Sequence, residues 1–417
     1  MNEEISVNRQ IFKFKMYGFL KNLRFYDPIF FIFLLENNTF LEIGLLFSIR
    51  EAIVYIFEVP SGVIADMYGK KLELAMCFVF YILSFGFFFI GGEYYIFVIA
   101  MILFGFGEAF RSGTHKAMIM SYIEHKELKQ TKSEIYGSTR AFSMLGSAMS
   151  SLVFIGLLIV LPELKWFFII VMIPYVLDLL LILSYPNFLN EKQDVSFNFK
   201  DFLKQNYLSV VYVFKDKELV KVLLSSSFYN GVFKSIKDYI QPILLISSAG
   251  LFLSYEFESI DNTFLSLGII YAVIYFISAI ASKQSSRVGN KLGLDKTLDL
   301  AWLGFGVSTI LVSIFIDNGI VVGVGFIMMY IVTNVRRPLM VGKVGDKIIS
   351  TKRASVLSIE SQFTSLVVIV LAPILGLIVD NYSIKTLMQS MSIILIGLYV
   401  IIAVQRLVSS KFKSSSC

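Results

Sequence analysis

Apolar runs of about twenty residues recur along this chain and leave little room for anything else between them. They lie at Met16–Leu35, Leu41–Ala65, Leu72–Gly91, Tyr94–Ile119, Tyr136–Val160 and Lys165–Tyr185, then at Leu219–Ile246, Thr263–Ser282, Thr297–Ile316, Gly319–Val341, Ala354–Val379 and Ile384–Leu407. About twenty apolar residues in a helix cross the hydrocarbon of a bilayer, where the backbone must satisfy its own hydrogen bonds. The runs therefore predict an all-α polytopic membrane protein with twelve transmembrane helices, six on each side of the hydrophilic stretch Pro186–Glu218. Only 16% of the residues are charged, where a soluble domain carries about 25%. The expected units are a six-helix bundle over 1–185, a central loop over 186–218, a second bundle over 219–408 and a tail over 409–417.

Charge sets the orientation. Lys and Arg crowd the N-terminal arm (Arg9, Lys13, Lys15, Lys21, Arg24), the Lys70-Lys71 turn, the central loop and the connections Lys116–Lys132, Lys283–Lys296 and Arg336–Arg353. The alternate connections carry one base or none. By the positive-inside rule both termini and the central loop are expected to be cytoplasmic, in a bacterial plasma membrane. A signal peptide would also open on bases. Here Asp27 interrupts the apolar core and no small-residue cleavage site follows, so the first run is expected to stay as a helix. The net charge of +6 belongs to these loops and does not imply a nucleic-acid partner. Cys77 and Cys417 make no disulfide framework, and His115 and His125 stand without a ligand cluster. With no GxxxxGK[ST] loop, no metal pattern and no nucleophile–base pair, neither an enzyme nor a cofactor is expected.

Between the second and third runs stands Pro60-Ser61-Gly62-Val63-Ile64-Ala65-Asp66-Met67-Tyr68-Gly69-Lys70-Lys71. One acid, two glycines and two bases suit a tight charged turn, since glycine lets helix ends approach closely. The stretch resembles the signature loop of the major facilitator superfamily, G-x-L-a-D-r-x-G-r-k. Gly62, Asp66, Gly69, Lys70 and Lys71 fall on that pattern, and Met67 replaces its usual base. A weaker copy, Gly289-Asn290-Lys291, follows the eighth run. The resemblance implies two pseudo-symmetric six-helix bundles with a substrate path between them. It also implies a small-molecule solute, a proton or other coupling ion, a monomer in the lipid bilayer, and a gating role for the loop.

Ionisable groups inside the runs are costly and default to functional candidates. Asp27 lies in the first run, Arg50, Glu51 and Glu58 in the second, Glu108, Arg111 and His115 in the fourth, and Asp178 in the sixth. The second half adds Lys234, Lys237, Asp238 and Glu360. Asp27, Arg50, Glu51, Glu108 and Arg111 are expected to carry solute or proton, with Asp27, Glu108 and Arg111 ahead of the other two. Lys234, Asp238 and Glu360 are the second-half candidates. Glu108 and Arg111, one turn apart, are expected to pair. Arg336 and Arg337 read as interface anchors, and Asp178 as a local partner for a neighbouring base.

The drug–proton antiporter pattern is incomplete. Met101 stands where an arginine would precede Gly105-Phe106-Gly107, and no proline occurs in the fifth run. The leading expectation is a proton-coupled secondary transporter working by alternating access, with efflux somewhat favoured. The alternative within transport is an uptake symporter for an anionic or zwitterionic nutrient. A sensor or a lipid scramblase is the alternative of another class.

Overall fold

The structure is a computed structural model that describes residues 2–111, 114–126, 132–190, 211, 213–247, 262–346 and 353–414. Among the described residues every element is helical. The first half contains α1 (Asn2–Leu20), α2 (Phe30–Leu35), α3 (Phe40–Tyr68), α4 (Lys70–Ile90), α5 (Tyr94–Arg111), α6 (Thr114–His125), α7 (Lys132–Val160) and α8 (Trp166–Leu183). The second contains α9 (Lys217–Ile236), α10 (Ile240–Ile246), α11 (Asn262–Leu292), α12 (Leu294–Ile314), α13 (Gly319–Asp346), α14 (Arg353–Asn381) and α15 (Ile384–Ser414). Among the described residues, nine helices are long and apolar enough to cross a membrane. The chain is an integral multi-pass membrane protein.

Three expected spans fall outside that set for physical reasons. The first is not a continuous helix over Met16–Leu35. α1 stops at Leu20, and a non-helical stretch leads to a 3₁₀ turn at Asp27–Ile29 before α2. Pro28 lacks an N–H and so suits the opening of the 3₁₀ turn, where no helical donor is needed, while α1 has already ended at Leu20. The seventh run likewise passes through a 3₁₀ turn at Lys237–Tyr239 between α9 and α10. The second run is one long helix, α3, but Arg50, Glu51 and Glu58 interrupt its apolar character.

The signature stretch also differs from expectation. α3 continues through Pro60 and Gly62 to Tyr68, and the turn is Gly69 alone, at φ 104°. Gly62 has open space around it. Only Gly69 has a conformation that needs glycine, because positive φ brings a Cβ into collision with the backbone. The turn docks on the segment after α8: Lys71 N–H donates to Asn190 Oδ1 at 3.1 Å, and Lys71 Nζ to the Tyr185 carbonyl at 3.0 Å. In the second half, Gly289-Asn290-Lys291 lies inside α11, and the equivalent turn is Gly293, at φ 88°. The side chain of Asp66, the loop residues 191–210 and Cys417 lie outside the described residues.

The halves meet along two long contacts, α3 with α14 and α7 with α11. The first half packs around an aromatic core in which Tyr26, Phe30, Phe85, Phe88, Phe104 and Phe168 stack or meet edge to face. Such pairs hold geometry as well as burying area.

Candidate functional site

Two breaks in helices open the centre of the molecule. The stretch 21–26 between α1 and the first 3₁₀ turn carries Lys21 and Arg24, and the turn itself carries Asp27. The second 3₁₀ turn carries Lys237 and Asp238. Backbone freed from the helical ladder needs other partners, and Gln241 on α10 supplies them across the halves. Its Oε1 accepts from Phe31 N–H at 2.8 Å, and its Nε2 donates to the Asp27 carbonyl at 2.8 Å and to Tyr271 Oη at 2.9 Å.

Between these breaks lies a cavity of about 370 Å³. Its bases are Lys21, Arg24, Arg50, Arg111, Lys234 and Lys237, and its acids are Asp27, Glu51, Glu58, Glu108 and Asp238. Tyr26, Phe30, Phe104, Tyr271, Tyr275 and Tyr330 fill the wall between the charges. A second cavity, of about 660 Å³, shares Lys234, Lys237, Tyr275, Tyr330, Ser361 and Thr364 and extends to Arg337, Met340 and Val341.

The structure brings all five leading candidates together in the first cavity, and it arranges the acids differently from one another. Glu108 receives Arg111 Nη2 at 2.5 Å, Arg24 Nη2 at 3.2 Å and Tyr81 Oη at 2.6 Å. The expected Glu108–Arg111 pair is therefore present within a larger group. Arg24, which the sequence places in a basic arm, is its second cation. Glu51, 1% exposed, receives Lys234 Nζ at 2.7 Å, Arg50 at 3.1 Å and Ser365 Oγ at 3.1 Å. Lys234 and Ser365 come from the second half, so this acid ties the halves together. Asp27 accepts from Tyr275 Oη at 3.1 Å. Asp238 holds Lys237 at 2.5 Å.

Other candidates fall elsewhere. Glu360 accepts from Ser226 Oγ within the second half and borders the larger cavity. His115 does not share the Glu108 site. It begins a separate helix, stacks on Tyr17 at 3.6 Å and shares a hydrogen bond of 3.1 Å with Tyr185 Oη. Arg336 is no interface anchor: it is 1% exposed, its guanidinium lies 4.1 Å from the Tyr229 ring centre, and its Nη2 donates to the Ser225 carbonyl at 3.1 Å. An aromatic face replaces part of the water such a cation loses. Arg337, by contrast, is exposed. Among the described residues no group of three or more His, Cys, Asp or Glu could hold a metal ion.

At the end of α3 farthest from Gly69 the halves touch backbone to backbone. A Cβ at Gly44 would meet the Ala372 carbonyl, and one at Gly376 would meet the carbonyl of Phe40. Asp380, at the end of α14, accepts from Phe40 N–H at 3.1 Å and Leu41 N–H at 2.7 Å. A carboxylate there satisfies the unpaired donors of the helix N-terminus and its dipole.

Comparison with known proteins matches this arrangement. The sequence model of the Major Facilitator Superfamily matches residues 22–335. The uncharacterized MFS-type transporter YxaM of Bacillus subtilis (strain 168) is 27% identical over 285 residues, which span 67% of this chain and 66% of that relative. The crystal structure of the nucleoside transporter NupG superposes with a TM-score of 0.75 at 13% identity, covering 95% of this chain and 97% of that one. A POT family transporter in complex with 5-aminolevulinic acid superposes with a TM-score of 0.72, also at 13% identity, covering 95% and 96%. These likenesses are of fold. The family match covers most of the sequence and agrees with the charged cavity between two packed halves: the chain belongs to the Major Facilitator Superfamily and is a membrane transporter.

Proposed function

We propose that this transporter takes up a small zwitterionic or anionic solute together with protons. The observation that carries the reading is the central cavity, whose wall alternates fixed cations and anions with tyrosines. A cavity of about 370 Å³ is at the small end of ligand sites, which run from about 300 to 1,000 Å³. A solute with both a carboxylate and an ammonium could exchange with the existing ion pairs without leaving a charge unpaired. An apolar drug could not, and that weighs against efflux of such compounds. Solved relatives of the same fold include a nucleoside transporter and a POT family transporter bound to 5-aminolevulinic acid, a zwitterion.

The reading includes twelve spans in two six-helix bundles, with the broken stretches counted as the first and seventh. The two breaks support it, since each joins a long helix to a short one through a 3₁₀ turn. So do Gly69 and Gly293, which make like turns at corresponding places. With the basic end cytoplasmic, the backbone contacts at Gly44 and Gly376 close the outer side, and the larger cavity leads inward. The two bundles rock about this centre as a monomer, and the Asp66–Lys71 stretch takes part in closing the inner side.

Proteoliposomes with an alkaline interior test this. Among labelled amino acids and short peptides, with uncharged nucleosides as a control, at least one charged solute should accumulate only while the pH gradient lasts. Failure of every charged solute, with gradient-driven export of apolar cations instead, would reject uptake.

A further inference from the structure

Asp178 lies on α8, outside the central cavity, and is fully buried at 0% exposure. Among the described residues neither of its carboxyl oxygens has a hydrogen-bond donor. The other buried or half-buried acids of the first half differ in this respect. Glu108 and Glu51 each hold two cations and a hydroxyl. Glu73 accepts from Thr114 Oγ1 at 2.5 Å, Glu58 from Ser361 Oγ at 2.9 Å, and Asp27 from Tyr275.

Among the described residues, few titratable groups lie near enough to Asp178 to act on it. Tyr17 and Lys21 come from the first span, Cys77 from α4, and Tyr185 from the residues just after α8. None of them donates to it. Cys77 Sγ points instead to the Gly107 carbonyl at 3.2 Å, Tyr185 Oη is shared with His115, and Tyr17 Oη is itself buried without a partner. Among the described residues Lys21 is the one base close enough to act on the carboxyl electrostatically. Its ammonium lies 4.9 Å from the Tyr17 ring centre, and the residue also lines the central cavity. Tyr175 on α8 fixes this stretch by donating to the Lys21 carbonyl at 3.3 Å.

A carboxylate with no donor, in a site closed to water, is far less stable than the neutral acid. Glu51 and Glu108 are the reverse case, because each has two cations to keep it ionised. We infer that Asp178 binds the coupled proton, and that Lys21, shared between Asp178 and the central cavity, links that proton to the solute. The inference rests on the proton-coupled uptake proposed above and names its proton site. When an anionic group of the solute draws the Lys21 ammonium into the cavity, Asp178 loses its only nearby cation. Water that follows Lys21 through the space it vacates then carries a proton to the carboxylate to give the neutral acid. When the solute leaves, Lys21 returns toward Asp178 and the O–H bond gives its proton back to water. Solute and proton thus load and unload together, which is symport.

Two measurements test this. The first needs no solute. Infrared spectra of the Lys21→Met protein in lipid nanodiscs at neutral pH, where the ammonium is permanently withdrawn from Asp178, should contain a carboxylic-acid carbonyl band that adding Asp178→Asn removes. A band equally strong in the double variant rejects Asp178 as a proton holder. The second uses whichever panel solute the wild type accumulates. Asp178→Asn should keep solute counterflow within about twofold while losing gradient-driven accumulation, and Lys21→Met should weaken both. Asp178→Asn removes only the chance of charge, so its melting temperature should not fall below wild type, which excludes misfolding as the cause. If the variant accumulates solute like wild type, Asp178 does not carry the proton. If the wild type moves solute but never responds to the pH gradient, it is the coupled-uptake reading that fails, and the infrared band still decides whether Asp178 holds a proton.

Discussion

Glu51 and Glu108 look alike in isolation, since each is an acid holding two cations and a hydroxyl at the edge of one cavity. They differ in where the partners come from. Arg24, Tyr81 and Arg111 all belong to the first half, so the Glu108 group can persist while the halves move. Glu51 draws Lys234 and Ser365 from the second half and cannot keep them if α3 and α14 part. The first group is a fixture of one half, while the second is a tie that has to break in each transport cycle. Ordering candidates by depth in a helix misses this difference, which depends only on the location of the partners.

The comparison can be broken most sharply at Glu108. Glu108→Gln leaves Arg24 and Arg111 as neighbouring half-buried cations, a loss that approaches but does not exceed the cost of about 3–5 kcal/mol for a fully buried pair. The yield of monodisperse protein on size-exclusion chromatography should collapse. Adding Arg24→Met and Arg111→Met should restore most of the yield without restoring transport. If Glu108→Gln alone is fully stable, the group is not a structural fixture.

Gly376→Val tests whether the tie depends on closure of the far end. The new side chain collides with the α3 backbone at Phe40, so the halves should be held apart there and transport should fall at least tenfold. A cysteine replacing Ser48, now hydrogen-bonded to the Ile369 carbonyl at 2.8 Å, should then react quickly with an impermeant maleimide. Unchanged labelling would mean that the contact is not a gate.

Glu51→Gln should have a smaller effect and of a different kind. Lys234 is 38% exposed, which limits the strength of its pair. A tie worth about 1–1.4 kcal/mol would raise Ser48→Cys labelling about fivefold to tenfold. Folding should be nearly unaffected, in contrast to Glu108→Gln. A loss of folded protein as large as that of Glu108→Gln would erase the distinction. Asp380→Asn, which weakens a helix cap, should have the smallest effect, with a cost of about 0.5–1 kcal/mol and a labelling change of a few-fold at most. No change in labelling would make the cap incidental to the gate.

Much of this architecture was legible from the apolar runs, because crossing hydrocarbon demands them. The Glu108–Arg111 pair was legible too, since residues three apart on a helix are neighbours. The partners from distant segments were not. Nothing local joins Lys234 to Glu51 across 183 positions, and Arg24 sits among other bases that mark an orientation. Pro28 did announce the 3₁₀ turn, but the strength of the apolar run around it concealed the signal. Gln241 carries no charge, so a search for ionisable groups passes over it. Arg336 lies near the end of its apolar run, where bases usually reach water, and only the continuation of its helix to Asp346 and the rings of Tyr229 and Trp302 reveal that it does not.

Gln241 has a consequence for the physical course of the cycle. Its amide stands in for the helical ladder missing around Asp27 and Phe31, so each separation of the halves strips those backbone groups of their partners. Water must enter to replace them. Opening is then also a hydration reaction, and its rate should depend on the activity of water as well as on voltage or solute. Osmolytes too large to enter the cavity should slow the outward step, and Gln241→Leu should destabilise the closed state, leaving the Phe31 N–H and the Asp27 carbonyl without their side-chain partner while the hydrated opened state is unaffected.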